Sequence, residues 1–404
     1  MIIVVNPNNR VPSPESAVEP PIWCAYLASA LGADEILDAE AEGLSPEQTI
    51  ERIGNKKPVF VAMGSNPSAS STPKMPFIEQ LIKRFPKYII AGLHPQAVGH
   101  AKLLRLPLPA VLRQVIPSWH LLEFSRYRAH NWHCLHDLKD RQNYGVIFTS
   151  FGCPFNCFNC NIHSLYGGRS VSFRDPVDVI DEIDVLVKEH GVRNLKICDE
   201  LFALNKTHVN QICDMLISRD YRLNIWAYAR VDTVDAGLLK KLKRAGVNWL
   251  AYGFESAVKE VRGQSAKIFT DSTAERAIDI TRDAGINIMA NFMFGLPGET
   301  ENNMKASLDM AMSHNFEYVN FYVALPYPGS NWYAGLKDKP INWDSFSQFS
   351  PTICADPAVV RFRDEAFNTY YSRPEYLSMV RSRFGQKAEE HIKNMLQWQI
   401  VRNT

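Results

Sequence analysis

The spacing of apolar and polar positions changes once along the chain, near residue 144. Before that point, short apolar runs alternate with stretches patterned for one helix face. Residues 2–5 form a buried-strand run that stops at Asn6-Pro7, and Ile22-Trp23-Cys24-Ala25-Tyr26-Leu27-Ala28 opens a helix that closes at Gly32. Residues 35–38 read as a weak second strand and 58–63 as a strong third, followed by a loop over 64–68. A helix over 77–85 leads to a fourth run at 88–91, then to Gly92-Leu93-His94-Pro95. Strands alternating with helices predict a parallel, doubly wound, Rossmann-like sheet, whose ligands sit beyond the carboxyl ends of its strands. Those ends carry Asn6, Ser65 in the 64–68 loop, and Gly92 with His94. The expected further strand and helix after Pro95 is not evident, so this domain, residues 1–116, reads as short.

Prolines at 107, 109 and 117 lead into a connector over residues 117–143, with the aromatic stretch Tyr127-Arg128-Ala129-His130-Asn131-Trp132-His133-Cys134. It reads as a packed linker that could also line a cofactor cleft; a metal site from His130, His133 and Cys134 is a further reading. From Tyr144 the rhythm becomes strand, helix, strand. Apolar runs at 144–149, 194–198, 223–228, 249–252, 286–294 and 318–323 are separated by helical patterns. Asp175-Pro176 opens the first of these helices as N-cap and first-turn proline, and helix–Gly–strand joins recur at Gly191, Gly246 and Gly285. Six such units predict an incomplete (β/α)6 barrel over residues 144–340, open on one side, with its reactive groups at the strand C-termini. The remaining residues, 341–404, are aromatic and helical and are expected to cap the barrel opening.

Composition narrows the function classes. An apolar fraction of 46% and a charged fraction of 22% are those of an ordinary globular protein. A net charge of +1 gives no electrostatic basis for a nucleic-acid partner or an anionic membrane. No apolar stretch reaches the roughly 18 residues of a membrane span. The first residues show no basic segment or cleavage site, so they read as a strand and not as a secretory signal.

The chemistry centres on Cys153-Pro154-Phe155-Asn156-Cys157-Phe158-Asn159-Cys160, on the loop leaving the first barrel strand. Three thiolates on one loop can hold three irons of a 4Fe-4S cluster and leave the fourth iron open for a small ligand. A structural zinc would want a fourth ligand, for which His163 is near enough in sequence. Disulfides are not expected among eight cysteines scattered over a chain without a secretory signal. Other strand ends bring Asp199-Glu200, Tyr228 with Arg230, Glu255-Ser256 and Gly295-Leu296-Pro297-Gly298.

The cysteine spacing resembles the signature of the radical S-adenosylmethionine superfamily. The whole chain looks like the branch of that superfamily with an N-terminal cobalamin-binding domain. The segments Cys198–Phe202, Trp226–Asp232, Gly253–Ser256 and Asn320-Phe321-Tyr322 support the placement. The resemblance implies that Cys153, Cys157 and Cys160 bind the cluster, whose open iron chelates S-adenosylmethionine. Reductive cleavage of that sulfonium gives a 5′-deoxyadenosyl radical that abstracts hydrogen from an unactivated carbon. It further implies Asp199 and Glu200 at the methionine ammonium, Arg230 at its carboxylate, and Glu255 and Ser256 at the ribose. Phe294, Gly295 and Leu296, with Phe158 and Tyr228, complete the S-adenosylmethionine set, while Asn6, Ser65, Gly92 and His94 are the candidates for cobalamin. Simpler local roles stand beside these: Asp199 or Glu200 as a helix cap, and Arg230 paired with Asp232. Where the family usually has an aromatic residue just before the third cysteine, this chain has Asn159, preceded by Phe158. The implied activity is a cobalamin-dependent methyltransferase acting on a small-molecule or natural-product substrate. The alternative is a radical enzyme that closes a ring, epimerises or oxidises without methyl transfer. A flavodoxin- or ferredoxin-type electron donor is implied, and an oxygen-sensitive cluster with free thiols points to a reducing cytoplasm.

Overall fold

The computed structural model describes residues 1–8, 16–64, 74–85, 87–91, 103–104, 112–265, 267–327, 329–336 and 356–398. The N-terminal sheet has strands β1 (Ile2–Asn6), β2 (Glu35–Asp38), β3 (Lys57–Val61), β4 (Ile89–Ala91) and β5 (Leu103–Leu104). All pair in parallel, in the order β2-β1-β3-β4-β5. The chain steps one way from β1 to β2 and back across β1 to β3, so right-handed crossovers put their helices on opposite faces. Alternate strand residues show the result. Val4, Val59 and Val61 face the helix Ile22–Leu31, whereas Ile3, Val5, Leu37 and Phe60 lie under the helices Pro46–Ile53 and Met75–Ile82. The doubly wound domain is as expected, with two additions. Ser45 starts the unforeseen helix Pro46–Ile53 with a reciprocal capping box to Gln48, and the two-residue β5 supplies a fifth strand.

The barrel strands are β6 (Tyr144–Ile147), β9 (Asn194–Ile197), β10 (Asn224–Ala229), β11 (Val247–Glu255), β12 (Asn287–Phe294) and β13 (Tyr318–Val323). A small antiparallel pair, β7 (Ser150–Phe151) with β8 (Ser172–Phe173), is inserted after β6. The six barrel strands are parallel and stand in sequence order, β13-β12-β11-β10-β9-β6, as the repeated strand–helix units predict. Among the described residues β6 and β13 do not pair, so the barrel is incomplete. The helix–Gly–strand joins have a steric origin. Gly246 has φ +99°, and a Cβ there would lie 2.6 Å from the Leu223 carbonyl oxygen.

One apolar core runs through both sheets. The helix Ile22–Leu31 is the wedge between them: Ile22 through Ala28 are all buried. Trp23 lies 5.2 Å from Phe148 and 6.4 Å from Phe151, ring centre to ring centre, and Tyr26 meets Phe151 edge-on at 5.9 Å. Buried polar groups add a second tie. Trp119 Nε1 donates to Glu182 Oε1 (2.9 Å), Glu182 pairs with Arg174 (2.6 Å), and Arg174 Nη1 donates to the Phe148 carbonyl (2.8 Å).

The connector closes the barrel's N-terminal end. Trp132 stands 5.2 Å from Trp226, 5.3 Å from Trp249 and 5.6 Å from Tyr318. Beside it Lys196 lies over the Trp226 ring and pairs with Glu19 at 2.9 Å. The three residues suggested as a metal site take separate partners. His130 Nδ1 accepts from Ala17 N (3.1 Å), Cys134 Sγ donates to Asn194 Oδ1 (3.3 Å), and the His133 ring is packed against Tyr144.

The tail forms the helices Pro357–Ser372, Pro374–Phe384 and Gln386–Met395. Tyr371 OH accepts from Val319 N (2.9 Å) and sits 2.7 Å from Val319 O, so it serves both backbone groups of one β13 residue. Tyr370 and Tyr376 donate to the carbonyls of Phe316 and Glu317 (2.7 and 3.1 Å). Phe384 stacks on Trp249 near the plugged end. These helices pack along β13, and residues 341–355 of the segment expected to cap the opening lie outside the described residues.

Candidate active site

The cysteine loop is held from four directions. Thr149 and Ser150, at its root, are tied to the end of β9. Asp199 accepts from Thr149 N (2.6 Å), Thr149 Oγ1 (2.5 Å) and Ser150 Oγ (2.7 Å). Gly152 follows at φ +97°, where a Cβ would strike the Ser170 carbonyl at 2.3 Å. From the end of β10, the Arg230 guanidinium covers the Phe155 ring at 3.8 Å. From beyond β11, Ser265 O accepts from Phe158 N (3.2 Å). From beyond β13, Trp332 N donates to Phe158 O (3.1 Å), and the two rings stack at 6.2 Å.

The three thiols are half-buried. Burial pushes Cys153 up to about 11 and Cys160 up to about 12. The donor set fits an iron–sulfur cluster better than zinc. His163 Nε2 lies 2.8 Å from the Cys153 carbonyl oxygen, occupied as a backbone clamp. Among the described residues no three His, Cys, Asp or Glu side chains converge for a single metal ion. A four-iron cluster asks instead for one thiolate at each of separate iron corners.

The expected carboxylates part company. Asp199 is buried, and its three donors all belong to the β6–β7 turn. Glu200, half-buried, accepts from Gly152 N (3.3 Å), and burial of its carboxyl pushes it up to about 8. Arg230 forms the suspected pair with Asp232 through Nε and Nη2 (both 2.8 Å), yet Nη1 is buried without a partner among the described residues. An unsatisfied charged donor in that setting calls for an anionic ligand. Glu255 has φ +64° at a register shift in β11. Its Oε1 pairs with Lys267 (2.5 Å), whereas its Oε2 is buried with no partner among the described residues.

Other expectations land elsewhere. Ser256 is fully buried, and its hydroxyl is engaged with Ser307 Oγ (3.3 Å) and Val258 N (3.2 Å), not facing the cleft. Phe294 points outward, stacked on Phe321 at 5.4 Å and met edge-on by Phe362 at 5.0 Å. Gly295 and Leu296 form a turn whose two N–H groups both reach Glu299 Oε2 (2.8 and 3.2 Å). Tyr228 lies on the inner face of β10, 5.0 Å from the Trp226 ring. In the N-terminal domain the Asn6 amide is spent in a buried network: it donates to Asp38 Oδ1 and accepts from Lys74 Nζ (both 2.7 Å). Ser65, Gly92 and His94 lie outside the described residues.

Two groups of site residues escape a reading of the sequence. Glu299 and Lys267 are ordinary surface types until the fold brings them to the strand ends. Asn291 and Asn320 are brought together only by the pairing of β12 with β13.

Residues 147–311 match the model of the Radical SAM superfamily. An uncharacterized methyltransferase of Pyrococcus horikoshii is 25% identical over 91% of this chain and 92% of its own length. The anaerobic magnesium-protoporphyrin IX monomethyl ester cyclase of Rubrivivax gelatinosus is 26% identical over 84% of this chain and 70% of its own. Among solved structures, the radical S-adenosylmethionine methyltransferase TsrM of Kitasatospora setae, with cobalamin and a [4Fe-4S] cluster bound, superimposes with a TM-score of 0.63. That match covers 82% of this chain and 76% of the other at 18% identity, a likeness of fold.

Proposed function

We propose that this chain, which carries a radical SAM domain over residues 147–311, is a cobalamin-dependent radical S-adenosylmethionine methyltransferase acting on an unactivated carbon. The observation that carries the reading is the thiol loop gripped beside two buried unpartnered atoms, Arg230 Nη1 and Glu255 Oε2. Cys153, Cys157 and Cys160 hold the cluster, one thiolate to an iron. When bound, the cluster supplies the electron that cleaves the sulfonium of S-adenosylmethionine, and cobalamin supplies the methyl group.

The chain's own residues position the reactants. Arg230 Nη1 takes the methionine carboxylate while Asp232 fixes the rest of the guanidinium. Glu200 takes the ammonium, and Asp199, already saturated, holds the loop root in place. Glu255 Oε2 accepts a ribose hydroxyl, with Lys267 orienting the carboxylate. The backbone of Gly295 and Leu296, turned by Glu299, borders the adenine, with Phe158 and Tyr228 on the cleft side. The N-terminal strand ends are the proposed corrin seat, residues 1–116 being that domain. The connector over 117–143, the barrel over 144–340 and the tail over 341–404 complete the division. A small-molecule substrate, an external electron donor and a reducing cytoplasm belong to the same reading. Among the described residues no helix is long and apolar enough to cross a membrane.

The test is anaerobic reconstitution with iron and sulfide, followed by methylcobalamin and methyl-labelled S-adenosylmethionine. Four irons with labile sulfide, corrin co-eluting with the protein, and a labelled methyl in the product are expected. Tetrahedral zinc at the loop, or absence of 5′-deoxyadenosine under reductant, overturns the enzyme reading. A product without added methyl mass overturns methyl transfer alone.

A further inference from the structure

The inner wall of the barrel says what kind of molecule it receives. In a filled barrel the inward positions are packed. Here the outward residues of β12 and β13 are buried, while inward Asn291, Met293, Asn320 and Tyr322 are half-exposed. The upper lumen is therefore open, and the plug around Trp132 closes it only from below.

The amide groups in this wall have a forced orientation. Asn291 Nδ2 donates to the Tyr252 backbone carbonyl (3.2 Å), a group that can only accept. Asn291 must then turn Oδ1 toward its neighbour, where it accepts from Asn320 Nδ2 (3.0 Å). The same Asn320 nitrogen also contacts Met289 Sδ (3.0 Å), another acceptor. With both neighbours taking its N–H groups, Asn320 offers the lumen its oxygen. Beside it stand the Tyr322 ring and the Met293 thioether, surfaces that favour an aromatic ring. The charges around this wall are matched within the chain: Glu255 with Lys267, Arg230 with Asp232, and Lys196 with Glu19. With Arg230 Nη1 and Glu200 given to S-adenosylmethionine in the reading above, a charged ligand group deep in the lumen would meet no further counter-charge among the described residues and would be penalised by desolvation.

We infer that the substrate presents to this wall an uncharged aromatic ring carrying an N–H or O–H donor, received by Asn320 Oδ1. The inference rests on the enzyme reading above and adds the substrate class. Binding is measured by equilibrium dialysis on the reconstituted protein with S-adenosylmethionine and no reductant, so that nothing turns over. The probes are 2-naphthol, 2-methoxynaphthalene and 2-naphthoate. 2-Naphthol should bind roughly five- to tenfold more tightly than either of the others, the cost of leaving a buried acceptor unpaired or burying an unmatched charge. Asn320→Leu should erase the preference for 2-naphthol over its methyl ether. Asn291→Leu, which frees the Asn320 amide to turn over, should narrow it. Equal binding of the hydroxyl and methoxy probes, tightest binding of the anion, a preference that survives Asn320→Leu, or no binding of any probe overturns the inference. Iron, sulfide and 5′-deoxyadenosine formation measured on the same preparation report separately on the enzyme reading. The probe preference can fail while that reading stands, and the reverse.

Discussion

Asp199 and Glu200 are adjacent carboxylates in opposite circumstances, and substitution should separate them. Asp199 collects three donors in a buried turn. Asp199→Asn presents an N–H to at least one of them and should lower stability by about 2–4 kcal/mol in urea unfolding. Glu200→Gln loses one long hydrogen bond and should stay within about 1 kcal/mol of the parent, while weakening S-adenosylmethionine binding in a dialysis assay. Glu299 carries a pH signature. Burial raises its carboxyl from 4.5 to about 7. Its contribution is therefore fully present below about pH 4.5 and is lost as the pH rises through 7. Relative to Glu299→Gln, the parent protein should lose on the order of 2 kcal/mol of unfolding free energy between pH 5 and pH 8.

The secondary-structure elements were legible where local chemistry alone fixes them. Asp175-Pro176 caps its helix through the Asp175 side chain, 2.8 Å from Val177 N. Gly246 and Gly285 close their helices at positive φ. The cysteine loop was equally legible, since its spacing is contiguous in sequence. The capping box at Ser45 is a local signal too, but a weak one, because the helix it starts is only eight residues long. Asn320 is legible as part of the Asn320-Phe321-Tyr322 segment, but its pairing with Asn291 is not, because it arises from a strand register that joins residues 29 apart. Nor could spacing reveal that Phe294 faces outward while Gly295 turns back. The tail is legible as helical, but its place is set by Tyr371 bonding to a particular β13 residue. Tyr371→Phe leaves Val319 N–H and C=O without that partner and should cost about 1–3 kcal/mol. Hydrogen exchange at Val319 should rise with it, as the local opening free energy of β13 falls.

The two sheets share one core through the helix Ile22–Leu31. The molecule should accordingly melt in a single calorimetric transition, with fluorescence and far-ultraviolet circular dichroism coincident. Trp23→Ala empties the junction against Phe148 and Phe151 and should cost about 3–5 kcal/mol. The loss should appear in both halves at once, not as a separate early melt of the N-terminal sheet. The plug around Trp132 has its own bearing on traffic. A vessel sealed at the base turns traffic away from that end, so whatever comes in must leave by the mouth or by the unclosed flank between β6 and β13.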